Sequence, residues 1–158
     1  MPSTLPFTKD TPVKVYFSPK GGCIEAIISE IDQAKTEILV QAYSFTSAPI
    51  AKALVSAHKR GVKVQAILDQ SQRSKKYTSA TFLKNAGIPT YIDGSHAIVH
   101  NKIMIIDKIK IITGSFNFTK AAEEKNAENL LIFSSRELVK LYLDDWQKHK
   151  GHSEAYGR

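Results

Sequence analysis

His100 and Lys102, followed at a short distance by Gly114, Ser115 and Asn117, gather an imidazole, an ammonium, a hydroxyl and an amide into one stretch. The residues around the first pair, from Ala97 to Ile106, are apolar and β-branched, which predicts a buried strand. Polar side chains are expensive there, because an unpartnered imidazole or ammonium out of water costs several kcal/mol. Side chains alternate across a strand, so His100 and Lys102 share a face and lie about 6–7 Å apart, close enough to touch one small anion. The imidazole suits a nucleophile, the ammonium neutralises charge, and the hydroxyl and amide supply hydrogen bonds. By the same parity Asp107 faces the other way, so it is read as structural. Gly114 permits a sharp bend or a close backbone approach that lets Ser115 and Asn117 converge on the same pocket.

The elements that position these groups read clearly. Residues 1–11 are a polar arm, and Val13–Phe17 is a first strand. Ile24, Ile27, Ile28 and Ile31 recur at helical spacing after Gly21-Gly22, which reads as a plain strand-to-helix turn because it lacks the full phosphate-loop pattern. Ile38–Phe45 is a second strand, a helix opens at Thr46-Ser47-Ala48-Pro49 and runs to Arg60, and Val62–Leu68 is a third strand. A polar loop, Asp69–Lys76, leaves its end, the edge at which open α/β sheets bind ligands. A short helix through Phe82 and Leu83 and a strand over Ile88–Ile92 precede the Asp93-Gly94 turn. Beyond the motif, strands over Lys110–Thr113 and Glu128–Phe133 flank a helix-favouring connector, Thr119–Lys125. Ser134 and Glu137 have capping-box spacing for a last helix with Leu138, Leu141, Tyr142 and Trp146 inward and Gly151 at its end. Alternating strands and helices predict one α/β domain over residues 1–158. It is an α-β-α sandwich with a mixed, mostly parallel sheet and helices on both faces.

Composition bounds the function. At 158 residues and 42% hydrophobic, the chain can bury a core without staples. No apolar run approaches the ~20 residues of a membrane span, and the start lacks a signal peptide's basic and apolar regions. Cys23 stands alone, which excludes an internal disulfide and suggests a buried thiol. A formal charge of +7 favours polyanionic partners, nucleic acid first and acidic membrane surfaces second. Lys59, Arg60, Lys63, Arg73, Lys75 and Lys76 concentrate that charge, and Lys59, Arg60, Arg73, Lys75 and Lys76 are candidate phosphate contacts.

The pattern His-x-Lys-x-x-x-x-Asp followed by Gly-Ser-x-Asn, carried here by His100, Lys102, Asp107, Gly114, Ser115 and Asn117, resembles the signature of the phospholipase D superfamily, whose members break or exchange phosphodiester bonds. The resemblance covers nearly the whole chain. It implies that His100 attacks phosphorus to give a phosphohistidine while Lys102, Ser115 and Asn117 bind the phosphate. The carboxylates near the motif, Asp93, Asp107, Glu123, Glu124 and Glu128, show no ligand-like cluster, so the expected mechanism needs no metal and no cofactor. The leaving oxygen needs an acid that titrates near neutrality. His58, His96, His149 and His152 have no motif around them and read as surface or loop residues. Similar proteins pair two motifs across a twofold axis, so one motif implies a homodimer with a shared site. The family also places an acidic residue against the opposite imidazole, and Glu128 fits that position. Resemblance further implies export to the periplasm or secretion, with the cytoplasm as the alternative.

Three functions follow. The leading one is an endonuclease, largely indifferent to sequence, acting on DNA and secondarily RNA. The second is a phosphodiesterase of phospholipid head groups, and the third is a nucleic-acid-binding module without catalysis.

Overall fold

A computed structural model describes residues 1–75 and 78–157. Eight strands form one mixed sheet in the order β1-β7-β6-β5-β2-β3-β4-β8. The elements are β1 Val13–Ser18, α1 Cys23–Gln33, β2 Glu37–Ala42, α2 Ala48–Lys59, β3 Lys63–Asp69, α3 Ala80–Asn85, β4 Thr90–Asp93, β5 Lys102–Ile106, β6 Lys110–Gly114, α4 Lys120–Glu124, β7 Glu128–Ser134, α5 Arg136–His152 and β8 Glu154–Ala155.

Among the named strands, parallel pairing joins β2, β3 and β4, which α2 and α3 connect as crossovers. The other five pairings are antiparallel, which corrects the expectation of a mostly parallel sheet. The reason is connector length: a parallel return needs a dozen or more residues, whereas β5 and β6 are joined by a tight turn. Asp107 and Lys108 take φ 53° and 56° there, and Ile109 N–H donates to Ile106 O at 3.1 Å. Two successive left-handed residues give the turn twist that suits a hairpin.

Both faces of the sheet are covered. Val40, Ala66, Leu68, Met104, Ile112 and Ile132 pack under α1 and α2 with Ile27, Ile31 and Leu54. On the opposite face Leu39, Ile67, Ile103, Ile105 and Ile111 pack under α5 with Val139 and Trp146. Strand β5 is buried along its whole length because it contributes to both cores, as its unbroken apolar run requires. Trp146 also donates its indole N–H to Val40 O at 3.0 Å.

Several boundaries differ from expectation. His100 and Asn101 precede the strand, because Val99 N–H donates to Asp69 Oδ1 and Asn101 O accepts from Tyr43 N–H, outside the β5 ladder. Ser135, one residue later than Ser134, caps α5 by accepting from Leu138 N–H. Gly151 lies inside that helix, which ends at His152, and Leu141 is 36% exposed. Cys23 is buried, and burial pushes its thiol up to about 11. No helix among the described residues is long and apolar enough to cross a membrane.

Candidate active site

Register brings the motif together. Lys102 opens β5 opposite Ala42, the last residue of β2, so it stands at the edge where β2 and β3 end. His100 lies just before it. Next to β5, β6 ends at Gly114 with φ 145°, where an added Cβ would come within 2.2 Å of Asn129 O. Only glycine fits that approach. The chain then turns so that Ser115 N–H donates to Asn129 O at 3.1 Å and Ser115 Oγ accepts from Asn129 N–H at 3.0 Å. The result is a cleft of about 530 Å³ walled by His100, Lys102, Ser115, Asn117, Glu128 and Tyr142.

The cleft's electrostatics turn on Lys102, which is only 7% exposed. Its ammonium reaches His100 Nδ1 at 2.9 Å and donates to His100 O at 2.5 Å. Burial pushes its pKa below the ordinary lysine value, and the nearby Glu128 carboxylate opposes that shift. With Lys102 charged, Nδ1 must accept, so a neutral His100 ring carries its proton on Nε2. Asn117 Oδ1 is buried in the cleft wall without a partner among the described residues.

Tyr43, which sequence reasoning missed, holds the imidazole. Its ring lies 4.8 Å from that of His100 at 55°. Lys102 Nζ and Lys75 Nζ lie 5.6 and 5.9 Å from the same ring, within cation–π range. Tyr43 follows the end of β2, a position legible in the sequence, but no motif marks it. Tyr142 packs against the core under α5, as expected, and its half-buried ring also lines the cleft.

Asp107 lies at the far end of β5, where its carboxylate accepts from the backbone N–H groups of Lys35, Thr36 and Glu37 and from the Thr36 hydroxyl. Burial would raise its pKa, but those donors outweigh it and hold the carboxyl below the usual range. The basic residues expected to form one patch are divided. Lys75 is beside Tyr43, and Lys76 lies outside the described residues. Arg73 pairs with Glu154 at 3.0 Å. Lys59 and Arg60 end α2 at the opposite end of the sheet, where Arg60 donates to Ile31 O and Asp32 O and so caps α1. The N-terminus of α1 is closed too, because Gly22 and Cys23 N–H donate to the Glu123 carboxylate.

A second constellation also escaped the sequence. Asp93, His96, His149 and His152, separated in the chain, meet at the end of β4. Asp93 is fully buried, yet hydrogen bonds from His149, His152, Ser95 N–H and His96 outweigh that burial and hold it far below the usual carboxylate range.

A family model described as "Cardiolipin synthase, PLD-like domain" matches residues 27–150. Phospholipase D of Rickettsia felis is 45% identical over 138 residues, which span 87% of this chain and 69% of that protein. Mouse mitochondrial cardiolipin hydrolase is 31% identical over 135 residues, spanning 75% of this chain and 61% of its own. The crystal structure of Nuc, a phospholipase D family member from Salmonella typhimurium, is 40% identical with a TM-score of 0.89, covering 93% of this chain and 99% of that one. Motif, relatives and fold agree, and the chain belongs to the phospholipase D superfamily as a Nuc-like phosphodiesterase.

Proposed function

We propose that this phosphodiesterase is an endonuclease on DNA, and secondarily RNA, that works without a metal at the phosphorus through a phosphohistidine at a site shared by two subunits. The observation that carries the reading is a cleft holding one imidazole against one buried ammonium, with Ser115 and Asn117 in the same wall. Phosphodiester cleavage needs a nucleophile and an acid, and the cleft of a single chain offers one histidine.

The tautomer supports pairing. While Lys102 donates to Nδ1, the neutral ring is protonated at Nε2, so that nitrogen has no free lone pair for attack. Attack through Nε2 requires the proton on Nδ1 and an acceptor for it. Glu128 of the partner subunit would supply that acceptor, releasing Lys102 to the phosphate. The Nε2 lone pair then attacks phosphorus, the P–O bond to the leaving group breaks, and the protonated His100 of the partner subunit gives its proton to that oxygen. Water next attacks the phosphohistidine, gives its proton back to the partner imidazole, and the N–P bond breaks. A surface suited to such pairing adjoins the cleft. Val15 and Phe17 on β1 are 50% and 66% exposed. Val15 pairs with Leu131, which pairs in turn with the cleft residue Thr113, so the apolar strip and the cleft share a sheet face.

Substrate is argued from charge. The net +7 and Lys75 beside Tyr43 suit a polyanion that extends beyond one phosphate. A lipid reading is favoured instead by the names of the Rickettsia phospholipase D and mouse cardiolipin hydrolase. Incubating the protein with supercoiled plasmid and with cardiolipin-containing vesicles, both in excess EDTA, separates the two. Plasmid cleavage that His100→Ala abolishes, with the vesicles intact, is expected. Hydrolysis of the lipid alone overturns the substrate, an absolute need for added Mg²⁺ overturns the chemistry, and retention without cleavage leaves a binding module.

A further inference from the structure

We propose that Asp93, His96, His149 and His152 bind one divalent transition-metal ion of the zinc class, remote in role from the phosphodiester chemistry. The four side chains come from two separate parts of the fold. Asp93 ends β4 and His96 follows in the loop, whereas His149 and His152 lie three residues apart on the last turn of α5. That spacing puts both imidazoles on one side of the helix. One donor atom from each residue lies within 4.8 Å of all the others. The three rings surround the carboxylate almost symmetrically, with centroids 4.9, 5.2 and 5.3 Å apart.

Of the six donor–donor distances, the three from the carboxylate are near tetrahedral values, and the others lie within 4.8 Å. Bonds of about 2.0–2.1 Å place the donors of tetrahedral zinc about 3.3 Å from one another. From Asp93 Oδ2 the ring nitrogens of His149, His152 and His96 stand at 2.7, 2.9 and 3.2 Å. These fall short of the tetrahedral edge by about 0.6 Å at most. Three imidazoles and one carboxylate are a donor set for zinc-like ions, since magnesium and calcium take oxygen ligands.

Hydrogen bonding fills the carboxylate: His149 and His152 meet Asp93 Oδ2, Ser95 N–H meets Oδ1, and His96 Nδ1 spans the two oxygens at 3.2 and 3.3 Å. If the rings are charged, cations repel across about 5 Å. A metal ion at the centre would remove that repulsion, because each ring nitrogen then acts as a lone-pair donor on a neutral imidazole. The outer partners are also in place. Ser95 N–H donates to Asp93 Oδ1 at 2.9 Å and fixes the carboxylate. Asp145 Oδ2 lies 3.5 Å from His149 Nε2, the nitrogen left over when Nδ1 binds metal. A carboxylate behind a ligating histidine is the usual orienting arrangement.

Four protein ligands close a tetrahedral shell, which marks a structural site. Its effect is to tie the end of α5 to β4 and to the loop that runs on to Val99, whose N–H is held by Asp69, and then to His100.

The test uses the full chain with any affinity tag removed, first stripped with chelator and then titrated with Co²⁺ and Zn²⁺. Wild type should bind one equivalent of Co²⁺ with the intense visible absorption of a tetrahedral N/O site, and Zn²⁺ should displace it. Zinc at 100 times its Kd should raise the folded-to-unfolded ratio about 100-fold, read as a rise in melting temperature. The His149→Ala/His152→Ala variant should lose the absorption and the thermal shift, and Asp145→Asn should weaken binding about 10- to 100-fold. Absence of stoichiometric Co²⁺ binding by wild type overturns the proposal, and that readout needs no variant to fold. Binding that survives the double substitution overturns it as well. All these readouts are independent of phosphodiesterase activity.

Discussion

Replacing Asp107 with alanine should cost stability without touching the chemistry, although Asp107 is one of the three residues that define the motif. Its carboxylate accepts from Thr36 N–H at 2.8 Å, Lys35 N–H at 2.9 Å, Glu37 N–H at 3.1 Å and the Thr36 hydroxyl at 3.0 Å. Hydrogen bonds to a charged group are worth about 1.5–3 kcal/mol when buried, but this site is half-exposed, so water replaces much of the loss and about 2 kcal/mol remains. Alanine at φ 53° adds about 1 kcal/mol, because aspartate tolerates the left-handed region better. A total of about 3 kcal/mol should lower Tm by roughly 6–12 °C for a domain of this size. Along β5 the five steps from Lys102 to Asp107 span about 17 Å, so turnover at a temperature where both proteins are folded should change less than about twofold. Asp107→Asn, which keeps the left-handed tolerance, should fall between. The depressed carboxyl contributes stability that is complete above the unfolded pKa and lost as pH falls through the folded one. The gap between wild type and variant in a melting series should therefore shrink below about pH 4. A hundredfold fall in turnover with unchanged Tm would refute this and bring Asp107 into the cleft.

If two subunits share one site, co-refolding wild type with His100→Ala should give activity proportional to the square of the wild-type fraction, about a quarter at equal mixing. A straight line, after random reassociation has been verified with a tag on one partner, would mean self-sufficient chains. Rate against pH should be bell-shaped, since one imidazole must be neutral and the other charged, with apparent values that belong to the pair. A flat profile from pH 5 to 8, with chemistry limiting, would contradict two histidines. Lys75→Gln should flatten the dependence of log affinity on log salt, whereas Lys59→Gln, at the opposite end of the sheet, should leave it unchanged. Equal slopes for both would show that Lys75 does not track the nucleic acid.

The central motif was legible because its constraints are local. Gly114 announced a close approach that its contact with Asn129 O explains, whereas strand parity does not reach His100, which precedes β5, and the length of that strand is what separates it from Asp107. The limits were of two kinds. Pairing direction depends on connector length, and runs of isoleucine in β5 and β6 say nothing about it. Tyr43, Tyr142 and the Asp93 cluster depend on tertiary register: His149 and His152 reach Asp93 only because α5 crosses the sheet and turns back into β8 beside β4. Arg60 and Arg73 misled for the complementary reason. A sequence shows that a cation is present but not that Ile31 O, Asp32 O or the Glu154 carboxylate already engages it.

Three buried charged residues, Glu30, Asp69 and Lys102, differ in how they are satisfied. Glu30, 2% exposed, is met by Lys14 and Lys110, and Asp69, 1% exposed, by the N–H groups of Ser71 and Val99. These groups have what they need within the fold, so they hold elements together. Lys102 is comparably buried, but its hydrogen bonds go to an imidazole and a carbonyl, and it forms no ion pair among the described residues; burial pushes its pKa down against the opposing Glu128 charge. An ammonium left in that condition destabilises the fold, and a phosphate in the cleft would supply the missing counter-charge. Asn117 adds an unpartnered amide oxygen to the same wall. Local rules of folding are broken here in the direction that anion binding would repair, and it is this coincidence, more than the motif, that makes the cleft a place for chemistry.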